Sequence, residues 1–440
     1  MIDQTNCIFF FKRIIGVKWL LLIVSATSLA QPTPRLLQRA ERNLTNTIVH
    51  DIFSPPVASR IYLYAHAAAY EALIAGNKEK SLYGKISQFP DCNSIPKSQN
   101  INYELAAVHA FFRTGGRLVF SEHLMQDSIR TILKDFRETD SEKYELSIKF
   151  GEAISDSILK WASTDNYALT RKKRRYSYAK QRGKWSPTPP GYIDAVEPHW
   201  SQIRPVALDS ASQFRPAPPP AFSAEGSSPF MKEVMEVYQV TQNMDKEKIL
   251  IASFWDCNPF FLNTQGHLNF ATKKLSPGGH WISIAGQAAE VSGADWETTS
   301  KAYLLTSIAL FDGFISCWEE KYRSQLIRPE TVINSYVDEK WRPLLQTPPF
   351  PEYTSGHSVI STSAAIVLEN IFGSEFSFHD NTEVSYGLPV RFFKSFREAA
   401  NEAAISRLYG GIHYRSAIEE GQIQGELVGR MVLKKLVLNK

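Results

Sequence analysis

Pro348-Pro349-Phe350-Pro351-Glu352-Tyr353-Thr354-Ser355-Gly356-His357 runs directly into an apolar stretch from Ser358 to Phe372. The spacing of the apolar residues predicts a helix over that stretch, and the prolines ahead of it cannot extend it backwards. A Pro-rich approach to Ser-Gly at a helix start leaves the first N–H groups free at the positive end of the dipole, which suits a bound anion. An ordinary N-cap explains Ser355 or Thr354 but gives His357 no purpose.

Upstream stands Lys321-Tyr-Arg-Ser-Gln-Leu-Ile-Arg328-Pro329. Seven residues make nearly two helical turns, so Lys321 and Arg328 are expected to face one way, with Pro329 biasing Arg328 towards extended geometry and ending the helix there. Alone, such a pair suits a solvated face. Downstream stands Ser406-Arg407-Leu408-Tyr409-Gly410-Gly411-Ile412-His413. The two glycines are expected to close one helix and leave His413 at the opening of the next, a ring nitrogen pointing inward. A lone histidine there is more often a satisfied core residue. Jointly the segments supply fixed cations, a helix N-terminus, a hydroxyl and imidazoles. That set neutralises and hydrogen-bonds a tetrahedral or trigonal-bipyramidal oxyanion, with an axial ligand and an acid/base left over.

Outside these segments helical periodicity dominates. It covers Arg35 to about Ala75, broken by Pro55-Pro56, then Tyr103 to Phe112, Glu122 to Phe136 and Glu142 to Trp161. It returns at Pro229 to Phe254, Ile282 to Ser292, Trp296 to Cys317, Phe392 to Tyr409 and beyond Ile412. Residues 171–227 break the pattern with Arg171-Lys172-Lys173-Arg174-Arg175 and many prolines. A flexible linker and a loop folded over the protein both fit, and Trp185, Tyr192, Trp200 and Phe214 favour the folded loop. The expected fold is all-α, two helical bundles in one domain over 31–440: N-terminal helices in 31–170, the loop, and a catalytic bundle in 228–440.

Lys12, Arg13 and Lys18 precede the apolar Trp19–Val24 and Ser28-Leu29-Ala30, the order of a signal peptide over residues 1–30. The expectation is a secreted or periplasmic protein, membrane-bound only if that segment stays uncleaved as an anchor. Removing it lowers the formal charge from +4 to +2, too little for nucleic-acid binding by bulk electrostatics. Cys92, Cys257 and Cys317 show neither disulfide nor zinc spacing, and three buried free thiols are expected.

Lys-six residues-Arg-Pro, then Ser-Gly-His, then Ser-Arg-five residues-His resembles the vanadium-dependent haloperoxidase and type 2 phosphatidic-acid-phosphatase superfamily, over residues 321–413. The resemblance implies vanadate with His413 as axial ligand. It assigns the equatorial oxygens to Lys321, Arg328, Arg407, the Ser355 hydroxyl and the Gly356 N–H. His357 becomes the acid/base, and Lys321 polarises bound peroxide for attack by halide. Trp318 and Phe350 stand where chloroperoxidase-like members line the halide pocket, with core packing as the alternative. Phe254-Trp255-Asp256 and Gly279-His280-Trp281 resemble segments around the site in bacterial relatives. Asp256 is expected to pair with Arg407, or else to cap a helix or sit on the surface.

Two positions depart from the family. Ala417 stands where an Asp usually orients the ligating histidine, with Glu419 and Glu420 as candidate substitutes, and Thr354 replaces a Pro. The resemblance implies hydrogen peroxide and halide as partners. A soluble acid phosphatase fits the same residues, with phosphate in place of vanadate, His413 as nucleophile towards a phosphate ester and His357 protonating the leaving alcohol. A relative that binds an oxyanion without turnover also fits, and an organic acceptor of oxidised halide stays open.

Overall fold

Serine and proline open the first buried helix. Ser54 caps it by accepting from Val57 N, and Pro55-Pro56 fill the first turn, where the missing N–H groups cost nothing. This splits the first apolar stretch as expected into α1 (Arg35–His50) and α2 (Pro55–Leu73), the latter buried from Pro55 to Ala72. The computed structural model of the chain describes residues 33–436 apart from 76, 78–79, 137–140, 179–180, 266–267 and 272. The expected signal peptide and Cys7 lie outside the described residues.

The first bundle continues with α3 (Tyr103–Gly116), α4 (Glu122–Ile132) and α5 (Ser141–Ala162), then the single turn α6 (Tyr167–Thr170). The stretch expected as one helix from Pro229 to Phe254 is two, α7 (Pro229–Gln242) and α8 (Lys246–Phe254), because Asp245 caps a new start by accepting from Lys248 N. There follow α9 (Pro277–Val291), α10 (Trp296–Ser324), α11 (Pro329–Tyr336), α12 (Gly356–Phe372), α13 (Phe396–Tyr409) and α14 (Arg415–Leu436). Two short antiparallel hairpins were not foreseen: β1 (Leu262–Gln265) with β2 (Leu268–Ala271), and β3 (Phe378–Asp380) with β4 (Arg391–Phe393). The fold is otherwise all-α.

Helix α10 joins the two bundles, packing on α2 and α9 on one side and on α12 and α14 on the other. One apolar core therefore runs from Leu36 on α1 to Leu436 on α14. Close approach of α12 and α14 depends on glycine: a Cβ at Gly425 would stand 2.2 Å from the Val359 carbonyl oxygen. No helix of the described residues is long and apolar enough to cross a membrane. Cys92, Cys257 and Cys317 are buried free thiols.

The Pro-rich segment folds over the helices. Buried Asp312, in the middle of α10, accepts from the backbone N–H of Val206, Ala207 and Leu208 at 2.8, 2.6 and 2.9 Å. Val196 donates to the Pro349 carbonyl, and Trp185 to that of Gln325. Trp185 and Trp200 are buried, whereas Tyr192 stays exposed.

Candidate active site

Lys321 occupies the last turn of α10, which ends at Ser324 because Gln325 turns left-handed at φ 55°. Arg328 lies beyond the helix in extended geometry and caps α11, so the expected single two-turn face is replaced by a helix end and a strap. Both side chains are nevertheless fully buried and converge on the motif segments. The Lys321 ammonium donates to the carbonyls of Pro351 at 3.1 Å, Glu352 at 3.0 Å and Thr354. Arg328 Nε donates to the Phe350 carbonyl and Nη1 to that of Ile412, each at 2.9 Å. Two cations thus fasten the proline-rich approach against the loop that carries His413.

That loop turns at Gly411, whose φ of +75° only glycine adopts without strain. His413 Nδ1 lies 2.7 Å from Glu352 Oε1, which also accepts from Tyr414 N at 3.0 Å. Glu352 is the residue that sequence reasoning missed. It supplies the carboxylate that Ala417 lacks, while Ala417 packs in an apolar cluster and offers only its carbonyl to Ser355 N. Glu419 pairs with Arg415 and Glu420 accepts from Ala217 N, so neither is the substitute. A carboxylate among the prolines and aromatics of an otherwise apolar approach was the available signal. Burial, then the charges of Arg328, Lys321 and Arg407, hold His413 well below the ordinary histidine range. The ring is neutral, with its Nδ1 proton on the Glu352 side and its Nε2 lone pair accepting from Arg328 Nη1 at 3.3 Å.

Arg407, in the last turn of α13, brings Nη1 to 3.1 Å from His357 Nε2. Burial and the Arg407 charge push His357 well below its usual value, while a hydrogen bond to the Trp255 carbonyl opposes them. Asp256 does not form the expected direct pair with Arg407. Its described ion pair is with Lys274 at 2.5 Å, and it acts on Arg407 through its charge alone. Ser355 caps α12 by accepting from Ser358 N, which leaves its own hydroxyl proton to donate. Gly356 opens the helix beside Trp318, with no side chain to shield its N–H.

Whether an oxyanion fits is answered by donors left over. Arg328 Nη2 and Arg407 Nε and Nη2 are buried without a hydrogen-bond partner among the described residues. Buried guanidinium N–H groups are costly unless something accepts from them. Arg407 borders a cavity of about 40 Å³ lined also by His357, His413, Gly356, Trp318 and Phe350, and Arg328 reaches its His413 wall. That space suits a small multiply charged oxyanion. The Trp318 and Phe350 rings stand 5.0 Å apart, with the Lys321 ammonium 5.1 Å from the Phe350 ring.

Of the residues singled out from the sequence, Asp256, Trp318, Phe350, Gly356, His357, Arg407 and His413 line this cavity, whereas Lys321, Arg328 and Ser355 do not line it and reach the site through the approach segment and His413. Thr354, in place of the usual Pro, donates to Gln424, which in turn donates to Ser316 on α10. The arrangement can neutralise an oxyanion, coordinate it through one imidazole and move a proton with the other.

Residues 301–438 match the family model for the VCPO second helical-bundle domain. No curated protein matches the chain. Among solved structures, a bacterial vanadium-dependent iodoperoxidase superposes with a TM-score of 0.86 at 48% identity, over 92% of this chain and 96% of that one. A bacterial vanadium-dependent chloroperoxidase in its holo form gives a TM-score of 0.68 at 17% identity, over 93% and 96%. Its apo form gives 0.65 at 16%, over 87% and 94%. The last two share the fold.

Proposed function

The chain belongs to the vanadium-dependent haloperoxidase superfamily, and from that premise we propose that it oxidises halide with hydrogen peroxide at a vanadate held by His413. The observation that carries this reading is an unprotonated His413 Nε2 against the Arg328 guanidinium, with further buried N–H groups of Arg328 and Arg407 left without an acceptor among the described residues. Bound vanadate supplies Lewis-acid activation of hydrogen peroxide without changing its oxidation state. The residues do the rest.

His413 offers one neutral nitrogen, and Glu352 fixes which. Arg328, Arg407, the Ser355 hydroxyl and the Gly356 N–H neutralise and orient the oxygens. The Lys321 N–H groups are engaged by carbonyls, so the ammonium contributes its charge at once and a hydrogen bond only by releasing one of them. His357 is held neutral and accepts a proton from peroxide, returning it to the leaving oxygen. Trp318 and Phe350 form the apolar wall against which a weakly hydrated halide sits. Iodide is the halide we propose, supported by the iodoperoxidase at 48% identity. Residues 1–30 we propose as a leader that directs the protein to the periplasm or outside the cell.

Purified protein loaded with orthovanadate, then given peroxide with iodide, bromide or chloride and in parallel a phosphate ester, tests the reading. Vanadate-dependent oxidation of iodide is expected. Ester hydrolysis with no halide oxidised overturns it.

A further inference from the structure

Behind His357 lies a cluster that halide oxidation does not use. Cys257 follows α8, His280 stands in the first turn of α9, and Glu383 lies between β3 and β4. All three are buried, with one donor atom each turned to a common point. Cys257 Sγ is 3.4 Å from His280 Nδ1, Nδ1 is 3.3 Å from Glu383 Oε1, and Sγ is 3.8 Å from Oε1. We propose that Cys257, His280 and Glu383 form a binding site for a divalent cation of the zinc class, distinct from the vanadate site.

Bond lengths of about 2.3 Å to sulfur and about 2.0–2.2 Å to nitrogen and oxygen, opened to the tetrahedral angle, put such donors about 3.3–3.6 Å apart. The two nitrogen edges of the triangle fall in that range, and the sulfur–oxygen edge lies slightly outside it. Thiolate, imidazole and carboxylate together favour zinc or a similar borderline ion over magnesium or calcium, with the fourth position left to water.

The other histidine nitrogen supports the assignment. Nε2 lies 2.7 Å from Asp380 Oδ2, and Asp380 Oδ1 is itself held by Thr382 N at 2.9 Å. A carboxylate on the far nitrogen is how proteins fix the tautomer and plane of a metal-ligating histidine. The Trp255 ring, stacked 4.5 Å away, holds that plane as well. Without a cation, Nδ1 faces a thiol and a carboxylate at nearly equal range. In that state the Cys257 thiol donates to Glu383 Oε1 only across a long 3.8 Å, and Nδ1 is shared between the two. A cation between the three satisfies all, releases the thiol proton and balances the buried carboxylates.

The site ties together three parts of the chain that are far apart in sequence. Trp255, two residues before Cys257, provides the carbonyl that holds His357. Cation binding therefore fixes the backbone against which the proposed acid/base is aligned. Its role is to position, and vanadate need not be bound for it to fill.

The intact protein, stripped with a chelator and titrated with cobalt(II) alone, tests this. One equivalent per chain is expected, with a sulfur-to-cobalt charge-transfer band and the intense visible bands of a tetrahedral ion. Zinc should raise the melting temperature by roughly 3–5 °C. Cys257→Ser should lose the sulfur band, and Glu383→Gln should weaken uptake at least about tenfold. His413→Ala should keep the full signal, which separates this site from the vanadate reading. Because a buried substitution can prevent folding, the native chain decides. Substoichiometric uptake, or uptake without the sulfur band, or a melting temperature indifferent to zinc, overturns the proposal and leaves His280 as an imidazolium between Asp380 and Glu383.

Discussion

Glu352 sets the proton position on His413, so Glu352→Ala, which removes the acceptor at Nδ1, should lower vanadate affinity about 10–100-fold. Equilibrium titration with orthovanadate measures it, and an unchanged affinity would remove Glu352 from the site. His413→Ala should abolish tight vanadate binding. His357→Ala should spare binding and lower turnover about 10²–10⁴-fold; a comparison of dissociation constant with kcat separates the two histidines. Alkaline pH acts on Lys321, which burial, and secondarily the Arg328 charge, hold down to about 8. As pH rises through that value the ammonium loses its charge. Glu352, pushed up to about 8 by burial, gains a negative charge in the same window. Both changes disfavour an anion, so vanadate affinity, steady near neutrality, should fall above about pH 8. Lys321→Gln should bind more weakly at neutral pH and show a shallower alkaline decline, and an undiminished decline would deny Lys321 its part.

Helices were legible where apolar spacing and caps agree. Pro55-Pro56 split α1 from α2, and Ser355 opens α12, both as the sequence pattern implies. The break before α8 was missed because its apolar periodicity continues through Asn243–Asp245, although Asp245 carried the capping signal. The end of α10 was missed because Gln325 gives no warning of a left-handed turn. A seven-residue spacing between cations reads as one helical face, yet tertiary hydrogen bonds bring Arg328 back by another path. At the α12–α14 contact the demand for glycine is set by the neighbour, which no single-sequence pattern reveals. Gly425→Ala should destabilise the protein by about 3 kcal/mol, because the obstructing atom is a backbone oxygen on α12 that cannot move aside. Chemical denaturation of the two chains measures the difference.

For the molecule as a whole, the segment 171–227 wraps the helices because one carboxylate in the centre of α10 collects three backbone N–H groups. Asp312→Ala leaves those groups buried without an acceptor. Limited proteolysis should then cut within 171–227 faster than in the parent chain, and an identical cleavage rate would show that Asp312 does not hold the segment. Most of the site was readable because its cations and imidazoles sit in three short motifs. Its orienting carboxylate was not, since Glu352 precedes its histidine by 61 residues and only the closed fold joins them. An aspartate four positions after the histidine would sit in the same short stretch of chain and keep its grip through partial melting. Here the grip exists only while two distant stretches of chain stay docked. Vanadium loading and global folding are therefore thermodynamically linked, so that filling the site shields the whole chain from unfolding and loosening the fold anywhere between those stretches discharges the metal.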